Sequence, residues 1–214
     1  EVNGQVATSV KDLNVILPIA NYPYTESFEE GTTDWKLSVD GNDFNWARNQ
    51  GGTPSSATGP SSASEGAYYM YVESSSPNYP TKTTALESRT FDLTSLNEPT
   101  LVFAFHMLGD TTMGTFDVQA TIDGTTWNNI FTVSGNQGDQ WKTAVLDLSA
   151  YKSGNTRLRF VGTTKDGFRS DVTAYMFAKM RRGETINYRS YEPLKEAIES
   201  YLIGSVKDMA RIVT

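Results

Sequence analysis

Short segments that alternate apolar and polar residues follow one another along this chain with no helical period between them, and that pattern restricts the fold more than any other feature. In "TLVFAFHML", Leu101, Phe103, Phe105 and Met107 share one face, and Val102, Ala104, His106 and Leu108 take the other. In "TFDVQATIDG", Phe116, Val118, Ala120 and Ile122 point one way, with Asp117, Gln119 and Thr121 opposite. Asp123-Gly124 then signals a hairpin turn, because glycine tolerates positive φ. "WNNIFTV", "WKTAVLDL" and "TRLRFVG" continue the series. A period of two is that of a half-buried strand, and about ten strands are predicted between Tyr24 and Phe177. Many short strands joined by turns make an all-β antiparallel sandwich or barrel. Phe103, Phe105, Phe116, Val118, Leu146, Leu148, Leu158 and Phe160 are then expected between the sheets.

One stretch does not fit a core. After Trp46 the chain runs through "ARNQGGTPSSATGPSSASEGA", almost without large apolar residues, before "YYMYV" resumes the strand pattern. A connection longer than ~12–15 residues inside a compact domain is usually either functional or disordered. In a sandwich it can be a surface loop at one edge, anchored at Trp46 and again at Tyr68 to Val72. Met70 and Val72 are the better core residues of the strand after it. Tyr69 and Tyr71 then lie on the outer face, either available to a partner or covered by the loop.

The formal net charge of −7 is unevenly spread. From Ala178 to Thr214 there are seven Lys/Arg and five Asp/Glu, whereas the preceding residues carry 11 basic and 20 acidic side chains. An acidic body argues against nucleic-acid binding, which needs a basic footprint. Cysteine is absent, which excludes disulfides, thiol nucleophiles and Cys-based zinc sites. The longest apolar run, "NVILPIA", falls well short of the ~20 residues of a membrane helix. No signal peptide is visible before the domain. Residues 1–23 read as a linker or leading strand.

After Met180 the period changes to a helical one. Ser190 can cap, Leu194, Ile198, Tyr201 and Leu202 form a stripe, and Lys195 and Glu199 pair four residues apart. A helix is predicted from about Tyr191 to Ile203. The boundary is placed at 178, leaving 24–178 as the β domain and 179–214 as a helical tail.

The blocks "ESFEEGTTDWKL", "DFNWARNQGGTPSSATGPSSASEGAYYMYVES", "LESRTFDLTSLNEPTLVFAFHMLGDTTMGTFDVQATIDGTTWNNIFTVSGNQGDQWKTAVLDLSAY" and "RLRFVGTT" resemble the MAM domain (meprin, A5 protein, receptor tyrosine phosphatase mu) over about Tyr24 to Met176. The version here is most similar to copies in secreted or surface proteins of Bacteroidetes-type bacteria. The resemblance implies a two-sheet jelly-roll sandwich at a cell surface, working in adhesion or protein interaction, with no catalysis. It also implies one structural calcium or sodium ion. Glu29 matches the family's Phe-Glu position, and Asp43 and Ser62 are the other candidate ligands. The sequence departs from the family in three places. The disulfide cysteines are missing, the loop motif Gly59-Pro60 to Glu65 lacks its Asp, and Thr173-Ala174-Tyr175-Met176 lacks the acids of the last strand.

The residues themselves offer little catalytic chemistry. His106 is the only histidine, so no HExxH zinc site exists, and it reads as a surface or between-sheet side chain. No nucleophile elbow or phosphate loop appears. The acids Glu26 to Asp43 suit a hard cation or a solvated face equally. Trp35, Trp46, Trp127 and Trp141 can stack on sugars or fill a core. The expected contact set is Trp46, Tyr69, Tyr71 and Tyr79, toward a protein or glycan at a cell surface and without membrane insertion. The alternative is a carbohydrate-binding module of a secreted hydrolase, recognisable by an exposed coplanar aromatic row.

Overall fold

The computed structural model describes residues 16–30, 34–37, 41–165 and 172–175, the last four as backbone. The predicted tail 179–214, with its helix, and most of the leading segment lie outside the described residues.

Ten strands are present among them: β1 (Trp35–Leu37), β2 (Ala47–Gln50), β3 (Tyr68–Val72), β4 (Thr83–Ser88), β5 (Thr100–Met107), β6 (Thr115–Thr121), β7 (Asn128–Ser134), β8 (Gly138–Asp147), β9 (Arg157–Thr163) and β10 (Val172–Tyr175). They form two five-stranded sheets, ordered β1-β4-β9-β6-β7 and β2-β3-β10-β5-β8. Every pairing between these strands is antiparallel. The fold is the expected two-sheet antiparallel sandwich. Chain neighbours often sit in different sheets, as jelly-roll crossovers require.

The period-two pattern sets the core. Leu101, Phe103, Phe116, Val118, Leu148, Leu158 and Phe160 are fully buried, and Phe105 and Met70 nearly so. Phe103 sits at the centre, with ring centroids of Phe160, Phe131 and Phe116 at 5.3, 5.4 and 5.9 Å. Leu146 is only partly buried, because β8 is an edge strand. Ile122 departs further from the expectation and is exposed. β6 ends at Thr121, and the chain turns there on Asp123, whose carboxylate accepts the N–H groups of Thr125 and Thr126 at 2.8 and 2.7 Å. Those donors favour the ionised carboxylate and hold its pKa far below the usual range.

The outer faces of the sheets differ in chemistry. On the first, Lys36, Glu87, Arg159, Gln119 and Asn129 stand in one cross-strand row. The Gln119 side chain accepts from Arg159 and donates to Asn129, both at 2.5 Å, while Glu87 pairs with Arg157. On the second, Tyr69, Tyr71 and Ala104 form a small apolar cluster with Ala47, Ala63 and Trp141 packed against it. Ala63 belongs to the long loop, so the loop covers this face.

Candidate interaction surface

The loop between β2 and β3 is pinned at its start, middle and end. At the start, Asn49 and Tyr69 are register partners. The Asn49 amide donates to the Tyr69 hydroxyl at 2.8 Å and to the carbonyl of Gly52 at 3.0 Å, and the Tyr69 hydroxyl donates to Gly51 at 2.9 Å. In the middle, the Thr53 hydroxyl donates to Thr58 at 2.6 Å and the Thr58 hydroxyl to Ser55 at 2.9 Å, closing a compact turn. Thr58, Gly59 and Pro60 are buried against the sheet. The Gly59 N–H reaches the carbonyl of Leu108 at 3.2 Å, and the Trp141 indole donates to Ser62 at 3.0 Å. Gly59 has φ +58, and a side-chain carbon there would run into Thr53. Only glycine adopts that conformation without strain in so little space.

Glu29 fastens the far end. Its carboxylate accepts the N–H groups of Ala67 and Tyr68, both at 2.9 Å. These donors lower its pKa below the ordinary 4.5, more than partial desolvation raises it. Arg48 lies 3.2 Å over the Tyr68 ring and donates to the carbonyls of Phe28 and Glu29 at 2.5 and 2.9 Å. One consequence is measurable. Glu29→Gln keeps an acceptor but loses the charge, so stability at pH 7 should fall by about 1 kcal/mol. A group with a depressed folded pKa contributes stability above its unfolded value and loses it as pH falls through the folded one. The wild type should therefore approach the variant as pH drops below 4.5. Urea midpoints of the two chains at pH 7 and pH 3.5 check this, and an equal gap at both would contradict it.

The residues expected to act are placed as follows. Trp46 is in the core, 4% exposed. It links the sheets through an indole hydrogen bond to the Thr84 carbonyl at 3.3 Å and an edge contact with the Phe116 ring. That corrects its expected place in the contact set, because its large ring fills space between the sheets. Tyr69 and Tyr71, 0% and 8% exposed, lie on the outer face as predicted but under the loop, so of the two alternatives the covered one holds. Tyr79 is half-buried in the β3–β4 connection. The candidate ligands are each engaged separately. Glu29 holds the loop end, Asp43 accepts from the Thr83 N–H at 2.8 Å with Lys82 at 3.6 Å, and the Ser62 carbonyl holds Trp141. Among the described residues no three His, Cys, Asp or Glu side chains gather as a metal cluster.

The outward surface of the cover is formed by Pro54, Ser56, Ala57, Ser61, Ser62, Ser64 and Glu65. Sequence reasoning found the loop but not what holds it. Asn49 and Trp141 carry no pattern of their own. The aromatic groups on this face do not make a coplanar row: Tyr71 and Trp141 meet Tyr69 at 67° and 72°. On the opposite sheet, Trp127 has the Arg159 guanidinium over its ring at 4.3 Å.

The MAM domain model (meprin/A5/mu) matches residues 27–174. A second model, the C-terminal domain of PrkA serine protein kinase, matches residues 145–214 and overlaps the first. The shared residues include β9 and all but the last residue of β10, which pair inside the two sheets. Among curated proteins, MAM domain-containing glycosylphosphatidylinositol anchor protein 2 of Mus musculus is 30% identical over 171 residues, covering 70% of this chain and 18% of that protein. Its Homo sapiens counterpart is 29% identical over 163 residues, 68% of this chain and 16% of its own length. The chain thus spans under a fifth of these relatives. Among solved structures, the K1 cleaved adhesin domain of Lys-gingipain from Porphyromonas gingivalis W83 superposes with a TM-score of 0.51 at 20% identity, covering 75% of this chain and 98% of that one.

Proposed function

We propose that this chain, which belongs to the MAM domain family, is a non-catalytic adhesion or protein-interaction module of a secreted or cell-surface protein. The observation that supports it best is the loop over residues 51–67, a long segment without core-building residues that is nonetheless fixed at three points. Ordering a residue costs about 1–2 kcal/mol of backbone entropy, so a connection this long held in one conformation is a substantial structural investment. A prefixed surface loses less freedom when a partner docks, which is how rigid scaffolds carry binding loops. Its small, nearly uncharged outward side chains suit a flat protein contact. The edge-on, covered aromatics of this face do not suit sugar stacking, which favours the protein reading over the carbohydrate one. His106 is 1% exposed beside Asp139, a poor place for a catalytic base to meet substrate. The segment beyond residue 178 is, on this reading, foreign to the domain. The end of the MAM domain match at residue 174 supports that division.

The test is a triple substitution, Ser56→Arg, Ser61→Arg and Ser64→Arg, on the exposed side of the cover. Beads coated with the chain are presented to a second copy and to cell surfaces, and the protein is applied to a glycan array. Capture should fall at least about tenfold with an unchanged melting temperature, the effect expected when charge enters the centre of an interface. Specific glycan capture unaffected by the three arginines would favour the carbohydrate reading. Turnover of a peptide or glycan, abolished by one carboxylate substitution, would refute the non-catalytic assignment.

A further inference from the structure

His106 occupies an irregular point of the second sheet. The β5–β8 register shifts between Phe105 and Met107, so His106 sits at a bulge. Its ring is 1% exposed on the outer face, in the same cross-strand row as Thr173, Tyr71 and Ala47. Nε2 lies 3.2 Å from the Asp139 carboxylate, and the Trp141 ring meets the imidazole edge-on at 5.5 Å. Because a carboxylate only accepts, Nε2 carries the proton in the neutral ring. Nδ1 is buried without a hydrogen-bond partner.

The cover docks on the immediate neighbours of this imidazole. The Gly59 N–H binds the carbonyl of Leu108, two residues along, and the Trp141 indole that flanks the ring binds Ser62. We propose that protonation of His106 releases this cover, so that acid loosens residues 53–63 from the outer face and uncovers Tyr69, Tyr71 and Trp141.

The physical reason is the second N–H. Protonation puts a donor on Nδ1, where the buried ring has nothing to accept it, and a buried unsatisfied polar group is costly. Asp139 faces the ring and stabilises the cation, but it is largely exposed and its charge is weakened by water. Among the described residues no other charge substitutes for it. Lys142 stands in register with Phe105, on the opposite face of the sheet. Glu65 is the one charged residue in the loop, and it is exposed. β3 contributes only the phenols Tyr69 and Tyr71 to this face, and in β10 the register partner of His106 is Thr173. Burial accordingly lowers the His106 pKa below 6.5 by more than Asp139 raises it. A depressed histidine pKa means that closure is favoured when the ring is neutral and lost as pH falls below the ordinary value. Water reaches Nδ1 most cheaply if the cover lifts, since the cover meets the neighbours of the ring through the Gly59 N–H, the Ser62 carbonyl and small side chains.

Amide hydrogen exchange tests this on the full chain, because Gly59 reports the cover and Phe91, bonded to Thr156 at 2.7 Å, reports the sandwich. After correction for intrinsic rates, exchange at Gly59 should rise severalfold between pH 7 and pH 5, because protonation favours the open form when the closed-state pKa is depressed. Phe91 should not change. As the only histidine, His106 gives a single imidazole titration, and its midpoint should lie below 6.5 and track the Gly59 change. His106→Gln keeps a donor for Asp139 and cannot be protonated, so its Gly59 exchange should not depend on pH beyond the intrinsic rate. Equal protection at both pH values, a titration midpoint at or above 6.5, or parallel loss at Gly59 and Phe91 would overturn the proposal. The wild-type measurements decide the matter even where the variant does not fold.

Discussion

Replacement of Phe103 by alanine should reduce the unfolding free energy by about 3–5 kcal/mol, the range for truncating a fully enclosed aromatic side chain. Phe103 is 0% exposed and touches rings from both sheets: Phe105 from its own strand, and Phe116, Phe131 and Phe160 from β6, β7 and β9. Removing it leaves a cavity bounded by four rigid rings, none of which can turn into the gap without abandoning its other contacts. Phe116, for instance, stacks at 7° on Phe160. Because domains are stable by only about 5–15 kcal/mol, the loss consumes much of the total, and a chain without disulfides has no cross-link to offset it. A urea titration measures the change through the midpoint. A loss below about 1.5 kcal/mol would mean that the rings repack, and that the core is less specific than their geometry implies.

That centre was legible from alternation alone. Phe103, Phe116, Phe160 and Leu158 all fell on the predicted faces because a one-residue slip would turn every one of them outward. The miss at Ile122 shows where such reasoning stops. Periodicity does not say at which residue a strand ends, and Asp123 collects the N–H groups of Thr125 and Thr126 one residue after Ile122. The loop over 51–67 was legible as a surface feature, from residues that cannot fill a core. Its clamps were not, since Glu29, Asn49 and Trp141 are brought to it by tertiary packing from β-turn, strand and distant strand. Trp46 was misassigned for a related reason: a tryptophan beside a loop reads alike whether its ring points to solvent or between the sheets.

Glycine before a strand poses the same ambiguity, and Gly114 gives it the sharper test. In "TTMGTF" it directly precedes β6, and the structure buries it where β6 begins beside the end of β9. A side-chain carbon on Gly114 would overlap the backbone carbonyl of Thr163 and crowd the Thr164 Cα. No rotamer relieves a clash with backbone. The segment it strikes is also tied down, because Thr164 donates its N–H to Lys82 at 2.8 Å and its hydroxyl to Asn78 at 2.7 Å. Gly114→Ala must therefore pull β6 away from β9 at this end of the first sheet. A cost of about 3 kcal/mol is expected, the upper part of the range for overpacking a closed interior. Gly52→Ala is the matched control, because an added carbon there meets nothing closer than the Pro60 carbonyl oxygen at 3.8 Å. It should stay within about 0.5 kcal/mol of the parent, as surface changes do. Urea midpoints of the two variants separate the readings. If Gly114→Ala is as mild as Gly52→Ala, the close approach of β6 and β9 is not a packing constraint, and Gly114 is only a turn.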